Sequence, residues 1–172
     1  VNGKLSSLFG KRTLSMRSKK SRKHKLVSNT RMHTGIDVSA PVGTPIHSSS
    51  DGVILFAGNK NGYGESVIIG HDTEHETLYA HMSKIVVRNG QFVRREQLIG
   101  YVGKTGRVTG ANLHYETRIS GVAYNPLVYL PPSGSTKMKV GMQTPSVANQ
   151  VMFYQNLSKM AFNLDKKTSI TK

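Results

Sequence analysis

From Gly52 to Ile119 the apolar positions fall in short runs, continuous or alternating with polar ones, and glycines punctuate them. Val53 to Phe56, Ser66 to Ile69, Thr77 to His81, Leu98 to Val102 and Leu113 to Ile119 are rich in Val, Ile, Leu and Tyr, side chains that suit a pleated, half-buried surface. Gly58-Asn-Lys-Asn-Gly62, Gly70-His-Asp-Thr and Arg88-Asn-Gly90 read as turns. The helical period is missing from this region, so the pattern predicts a mainly β, antiparallel domain. Pro131-Pro132-Ser-Gly-Ser marks its end, because tandem proline and small polar residues cannot continue a ladder. Further on, Thr144-Pro145 has the form of an N-cap followed by proline at the first helical position. Phe153, Leu157, Met160, Ala161 and Leu164 then share one helical face. The predicted organisation is a domain over 1–130, a linker over 131–144, and an amphipathic helix and tail over 145–172. That helix either packs back on the sheet or docks another subunit.

Composition narrows the class. The 172 residues suffice for one domain and an appendage. With no cysteine, disulfides and thiolate metal sites are excluded, though no compartment is assigned. No run of eighteen apolar residues is present, so no transmembrane span is expected, and the start lacks the apolar core of a secretory signal. The formal net charge of +15 calls for an anionic partner or surface. Nucleic acid is disfavoured, since no helix-turn-helix, zinc-finger or RNP-like pattern accompanies the charge. Much of the charge sits in Lys11, Arg12, Arg17, Lys19, Lys20, Arg22, Lys23 and Lys25. This stretch, about 11–25, is expected to be a solvated basic loop, with a place along a substrate groove as the alternative.

Chemistry concentrates in Met32-His33-Thr34-Gly35-Ile36-Asp37 and Asn112-Leu113-His114-Tyr115-Glu116. His33, Asp37 and His114 supply two imidazoles and a carboxylate, which can hold one Zn2+ ion and leave coordination positions open, the ligand count of a catalytic site. A His-x3-Asp pair alone is more often an ordinary surface pair. Its surroundings decide otherwise: His33-Thr-Gly-Ile-Asp37, Ala40-Pro-Val-Gly-Thr-Pro45, Asp51 to Gly58, Gly62-Tyr-Gly64, Leu78-Tyr-Ala-His81, Ile99 to Gly106 and Thr109 to Glu116 follow one another in order. Together they resemble the LytM or lysostaphin-like zinc peptidases, which cut peptides of bacterial peptidoglycan. The resemblance covers roughly residues 1 to 130.

It implies an open β-roll or twisted sandwich of the LytM type, with His33, Asp37 and His114 as zinc ligands and His81 as a catalytic histidine. It also implies a zinc-dependent endopeptidase acting on peptidoglycan peptides in wall remodelling, with control of cell shape as one role. The location would be periplasmic or otherwise extracytoplasmic, and the chain a mature or trimmed part of an exported precursor. The C-terminal helix would then dock a second copy or a related wall protein.

One departure stands out. The family's second block usually reads His-x-His, with the first histidine catalytic, and here that position is Asn112. Alternation along a strand turns Asn112 into the same site as His114, yet an amide exchanges no proton near neutral pH. The rival expectation is therefore an attenuated or inactive wall-binding module that regulates or scaffolds other hydrolases. Tyr79, two residues before His81, is expected on the same face, either bonding in the site or packing. Glu116 is either a carboxylate that orients a ligand or a structural ion-pair residue. His71 is either a support residue or solvent-exposed. His24, His47 and His75 carry no assigned function, and Gly103-Lys-Thr-Gly106 lacks the spacing of a phosphate loop.

Overall fold

The computed structural model describes residues 1–17 and 26–129. Its strands are β1 (Lys4–Ser7), β2 (Gly10–Arg17), β3 (Leu26–His33), β4 (Ile36–Ser39), β5 (Pro45–His47), β6 (Gly52–Lys60), β7 (Gly64–Gly70), β8 (His75–Ile85), β9 (Phe92–Val93), β10 (Leu98–Val102), β11 (Asn112–Ile119) and β12 (Val122–Tyr124). A short 3-10 turn, Pro126–Tyr129, follows. The main sheet runs β1-β4-β11-β8-β7-β6-β9, with β10 joining β8 and β5, and β12 joining β11. β2 and β3 form a separate two-stranded sheet, and every pairing is antiparallel.

The five strands expected from the apolar runs are all present. β6 runs on to Lys60, into what the glycines suggested was turn, and the reversal is made by Asn61 to Tyr63 with Gly62 and Gly64 at φ of 82° and 67°. Both angles lie in the left-handed region where only glycine is unstrained. The basic stretch expected as a loop over 11–25 is corrected: through Arg17 it is strand β2, paired residue by residue with β3. Pairing Gly10 with His33 brings the first ligand candidate to the base of this hairpin. Lysine is depleted in strands and a run of positive charge leaves no apolar pattern, so the ladder is what reveals the strand. The proposed linker, the helix over 145–164 and its docking role lie outside the described residues. Among the described residues no helix is long and apolar enough to cross a membrane.

Alternation divides β11 between two environments. Leu113 and Tyr115 face a core with Ile36, Ile54, Tyr79 and Ile99, whereas His114 and Glu116 face the side where Leu78, Ala80 and Ile68 pack under Phe56 and Tyr63. The apolar core fixes the register of the central strands, since a one-residue slip would expose Leu113 and Tyr115 and bury His114 among them. Register, in turn, positions the site.

Candidate metal centre

Register between β4 and β11 sets Asp37 directly opposite His114, and Ile36 opposite Tyr115. Ile36 and Val38 point into the apolar core, so Asp37 between them points the other way. Gly35 lies against the Tyr115 carbonyl and the His114 ring, where any Cβ would collide, which explains the glycine in His-Thr-Gly-Ile-Asp. His33, carried in by the hairpin, completes a triangle. Its Nε2 lies 3.1 Å from Asp37 Oδ1 and 3.1 Å from His114 Nδ1, and the latter two atoms are 2.8 Å apart. Bonds of about 2.0–2.1 Å at tetrahedral angles place ligand atoms roughly 3.3 Å apart, so these three donors fit one zinc-sized ion with slight widening.

The outer nitrogens support the same arrangement. His33 Nδ1 donates to the Leu8 carbonyl at 2.7 Å, leaving the Nε2 lone pair for a metal. His114 Nε2 donates to Glu116 Oε1 at 2.9 Å, leaving Nδ1 free to ligate. Such second partners fix the tautomer and the ring orientation of a ligating histidine. Glu116, fully buried, also accepts from Thr34 Oγ1 at 2.5 Å, Tyr63 Oη at 3.0 Å and Arg118 Nε at 2.7 Å. Burial works to raise its pKa, but the hydrogen bonds from His114 and Thr34 and the charge of Arg118 hold it at about 2. Glu116 therefore stays charged, hydrogen-bonded to His114 and paired with Arg118.

Asp37 behaves alike: burial opposes ionisation, yet hydrogen bonds from His114 and His33 hold its carboxyl well below the usual carboxylate range. With no metal bound, burial works to lower the His114 pKa, but Asp37 and Glu116 each face one nitrogen of the ring and raise it above the ordinary value by favouring the doubly protonated form; ligation at Nδ1 would displace the proton directed at Asp37 and leave the one held by Glu116. Arg12 from β2 donates to Asp37 Oδ2 at 3.4 Å and lies against the His33 ring, whose Nδ1, with its hydrogen on Leu8, offers the guanidinium no acceptor. Sequence reasoning misses Thr34, Tyr63 and Arg118 as site residues, whereas Arg12 belongs to the basic stretch with a place along the groove as its alternative, and it lines the cleft. Tyr63 lies inside the quoted Gly62-Tyr-Gly64 block, the one signal that could have found it.

His81 and Tyr79 separate, contrary to the expectation that they share a face. His81 has φ of 62°, and the β7–β8 register slips at this point, between the pairs of Glu65 with Met82 and of Val67 with Tyr79. This bulge adds a residue and reverses the alternation. Tyr79 stays in the core, its ring tilted against Tyr115 with centroids 5.3 Å apart and its hydroxyl bonded to Ser49, and burial raises its pKa. His81 turns to the other face, its ring 5.9 Å from that of His114. Its Nδ1 donates to the Thr105 carbonyl at 2.8 Å, which leaves the Nε2 lone pair available. Burial lowers its pKa, favouring the neutral imidazole. A left-handed backbone at a non-glycine residue is the kind of strain that functional sites retain.

Asn112 lies beside His114 on the wall of a cleft of about 650 Å³ that also holds His33, Asp37, Tyr63 and His81. Its Oδ1 is buried and has no hydrogen-bond partner among the described residues. His71 is buried too, but Nδ1 donates to the Asp51 carbonyl at 2.7 Å and Nε2 accepts from Thr77 at 2.8 Å. It is a structural histidine and does not line the cleft.

Peptidase family M23 matches residues 31–126, a span that includes His33, Asp37, His81, Asn112 and His114. The chain belongs to that family. The M23 chain is 52% identical over 111 residues to the DD-carboxypeptidase/endopeptidase Mpg of Neisseria meningitidis, a match covering 64% of this chain and 26% of Mpg. It thus spans about a quarter of the length of such curated relatives. A zinc-containing peptidase from Vibrio cholerae superposes with a TM-score of 0.57 at 30% identity, over 72% of this chain and 35% of that one. The catalytic domain of the antimicrobial peptidase lysostaphin from Staphylococcus simulans superposes with a TM-score of 0.60 at 28% identity, over 74% and 92%. The fold is LytM-like.

Proposed function

We propose that this M23 chain is a zinc-dependent endopeptidase that hydrolyses peptide bonds of bacterial peptidoglycan outside the cytoplasm, a wall-remodelling activity. The observation that carries the reading is the triangle of His33 Nε2, Asp37 Oδ1 and His114 Nδ1, with the histidines' opposite nitrogens already donated to Leu8 and Glu116. Two neutral imidazoles and one carboxylate are a donor set that suits Zn2+. Zinc held there would lower the pKa of a water and polarise the scissile carbonyl. His81, its Nδ1 held by Thr105, accepts the proton of the attacking water at Nε2, then as a cation steadies the negative charge developing at the carbonyl oxygen and returns the proton to the leaving amine. Asn112 accepts a hydrogen bond from water or a substrate amide through its unpartnered Oδ1 and transfers no proton. Glu116 orients His114 and Arg12 pairs with Asp37.

The names of Mpg and of the Vibrio zinc peptidase support the activity and the metal. The rival, an attenuated module that regulates other hydrolases, draws on Asn112 alone, whereas all three ligand side chains are present and converge. The test is zinc content by elemental analysis together with release of peptides from purified sacculi. Wild type should bind one zinc and digest sacculi, and His33→Ala and His114→Ala should lose most of both. Absence of stoichiometric metal after loading refutes the assignment.

A further inference from the structure

Beyond the metal centre the cleft continues. A second cavity of about 500 Å³ is walled by Asn59, Lys60, Asn61 and Arg107, with backbone of Gly62, Gly64 and Gly106 as its floor. Gly62 and Arg107 line both this cavity and the metal cleft, so the two form one groove. Two cations and two carboxamides surround it, and among the described residues no carboxylate lines it. The nearby Glu65 is turned to the Asn59 amide at 3.1 Å. Lys60 Nζ rests 5.6 Å from the Phe56 ring centroid, which steers the ammonium without neutralising it. Among the described residues Arg107 has no ion pair.

The cavity is rigidly tied to the site. Arg107 N–H donates to the Gly62 carbonyl at 2.9 Å, and His81 N–H donates to the Tyr63 carbonyl at 2.9 Å. Thr105 Oγ1 donates to the Met82 carbonyl at 2.8 Å, while the Thr105 carbonyl holds the His81 ring. Gly64 and Gly106 touch backbone to backbone, so neither position admits a Cβ. The turn after β6 and the loop before β11 therefore hold the backbone that carries Lys60 and Arg107 at a fixed position relative to His81.

We propose that this cavity is a substrate subsite that binds a carboxylate of the peptide through Lys60 and Arg107, next to the bond that is cut. The inference rests on the peptidase reading of the adjoining metal centre. An arginine fork matches a carboxylate's two oxygens, and the asparagine amides add neutral donors. The carboxylate can be the peptide's C-terminus or an acidic side chain, and the test separates them.

Three peptides of one sequence serve: one with both carboxylates free, one amidated at the C-terminus, one amidated at its acidic side chain. Binding is followed by NMR at the amides of Gly62, Gly106 and Arg107 in the zinc-loaded full chain carrying His81→Ala, so that peptide is not consumed. Amidation at one of the two places should weaken binding about tenfold, the effect of losing a charge-assisted contact. Lys60→Gln/Arg107→Gln should erase the difference, and Arg107→Lys should restore part of it. Equal binding of all three peptides, or a preference that survives the double substitution, overturns the subsite. Competition by inorganic phosphate as strong as by the free peptide overturns its assignment to a peptide carboxylate. Carboxylate-selective binding with no cleavage of any peptide by the wild-type chain would refute the peptidase reading and leave the subsite intact. Equal cleavage of all three, unmoved by Arg107→Gln, would do the reverse.

Discussion

Glu116→Gln replaces one oxygen of a fully buried carboxylate that accepts from Thr34, Tyr63 and His114 on one side and is clasped by Arg118 on the other, at 2.7 Å from Nε and 2.6 Å from Nη2. The amide has one acceptor oxygen, so either Arg118 or the three donors on Oε1 must face an NH2 group. Breaking a buried pair from one side costs about 3–5 kcal/mol. Arg118 retains some solvent access, with 19% of its side chain exposed, which moves the expectation to the low end, about 3 kcal/mol. With a urea m-value of about 1.5 kcal/mol/M, the midpoint of the metal-free protein should fall by roughly 2 M with m unchanged. Zinc affinity should fall in parallel by about 10–100-fold, because His114 loses the partner that fixes its tautomer. The pair of assays is urea unfolding followed by circular dichroism and zinc competition against a chelating dye. A variant within 1 kcal/mol of wild type, with zinc affinity within about twofold, would show that Glu116 does not organise the site.

His81→Ala should keep its zinc and lose about 10²–10⁴-fold in peptide release from sacculi; unchanged turnover would remove His81 from the mechanism. Asn112→His should raise activity if the site lacks a second proton-exchanging group, and an unchanged rate would show that His81 suffices. His71 provides a pH test away from the metal: burial holds its folded pKa below the ordinary 6.5, so the unfolded chain takes up the proton first as pH falls. Its contribution is complete above pH 6.5 and is lost as pH drops from there toward the folded value, with a slope of at most about 1.4 kcal/mol per pH unit. Urea midpoints of wild type and His71→Gln measured on both sides of that pH should converge on the acid side, and parallel profiles would contradict the buried neutral form.

Local alternation was enough to place Asn112, His114 and Glu116 on one strand face, because the period of two depends only on neighbouring peptide units, and β11 is regular through this stretch. The same rule put Tyr79 with His81, and there it failed. The bulge between β7 and β8 is a property of two strands pairing, invisible in either one. Composition and glycine spacing likewise determined the antiparallel class and the central strands, since each buries enough apolar surface to leave a pattern. The short strands β1, β5, β9 and β12 leave none, and the charged β2 is held by its ladder with β3 rather than by propensity.

By itself, then, the sequence determined which side chains could ligate a metal and that they lie in a β domain, because ligand chemistry and strand period are local. Only the tertiary structure decided that His33, Asp37 and His114 meet within hydrogen-bonding distance of one another, that Arg12, Tyr63 and Arg118 brace them, and that Lys60 and Arg107 share one cavity. Those meetings depend on register and bulges, which the buried core sets collectively.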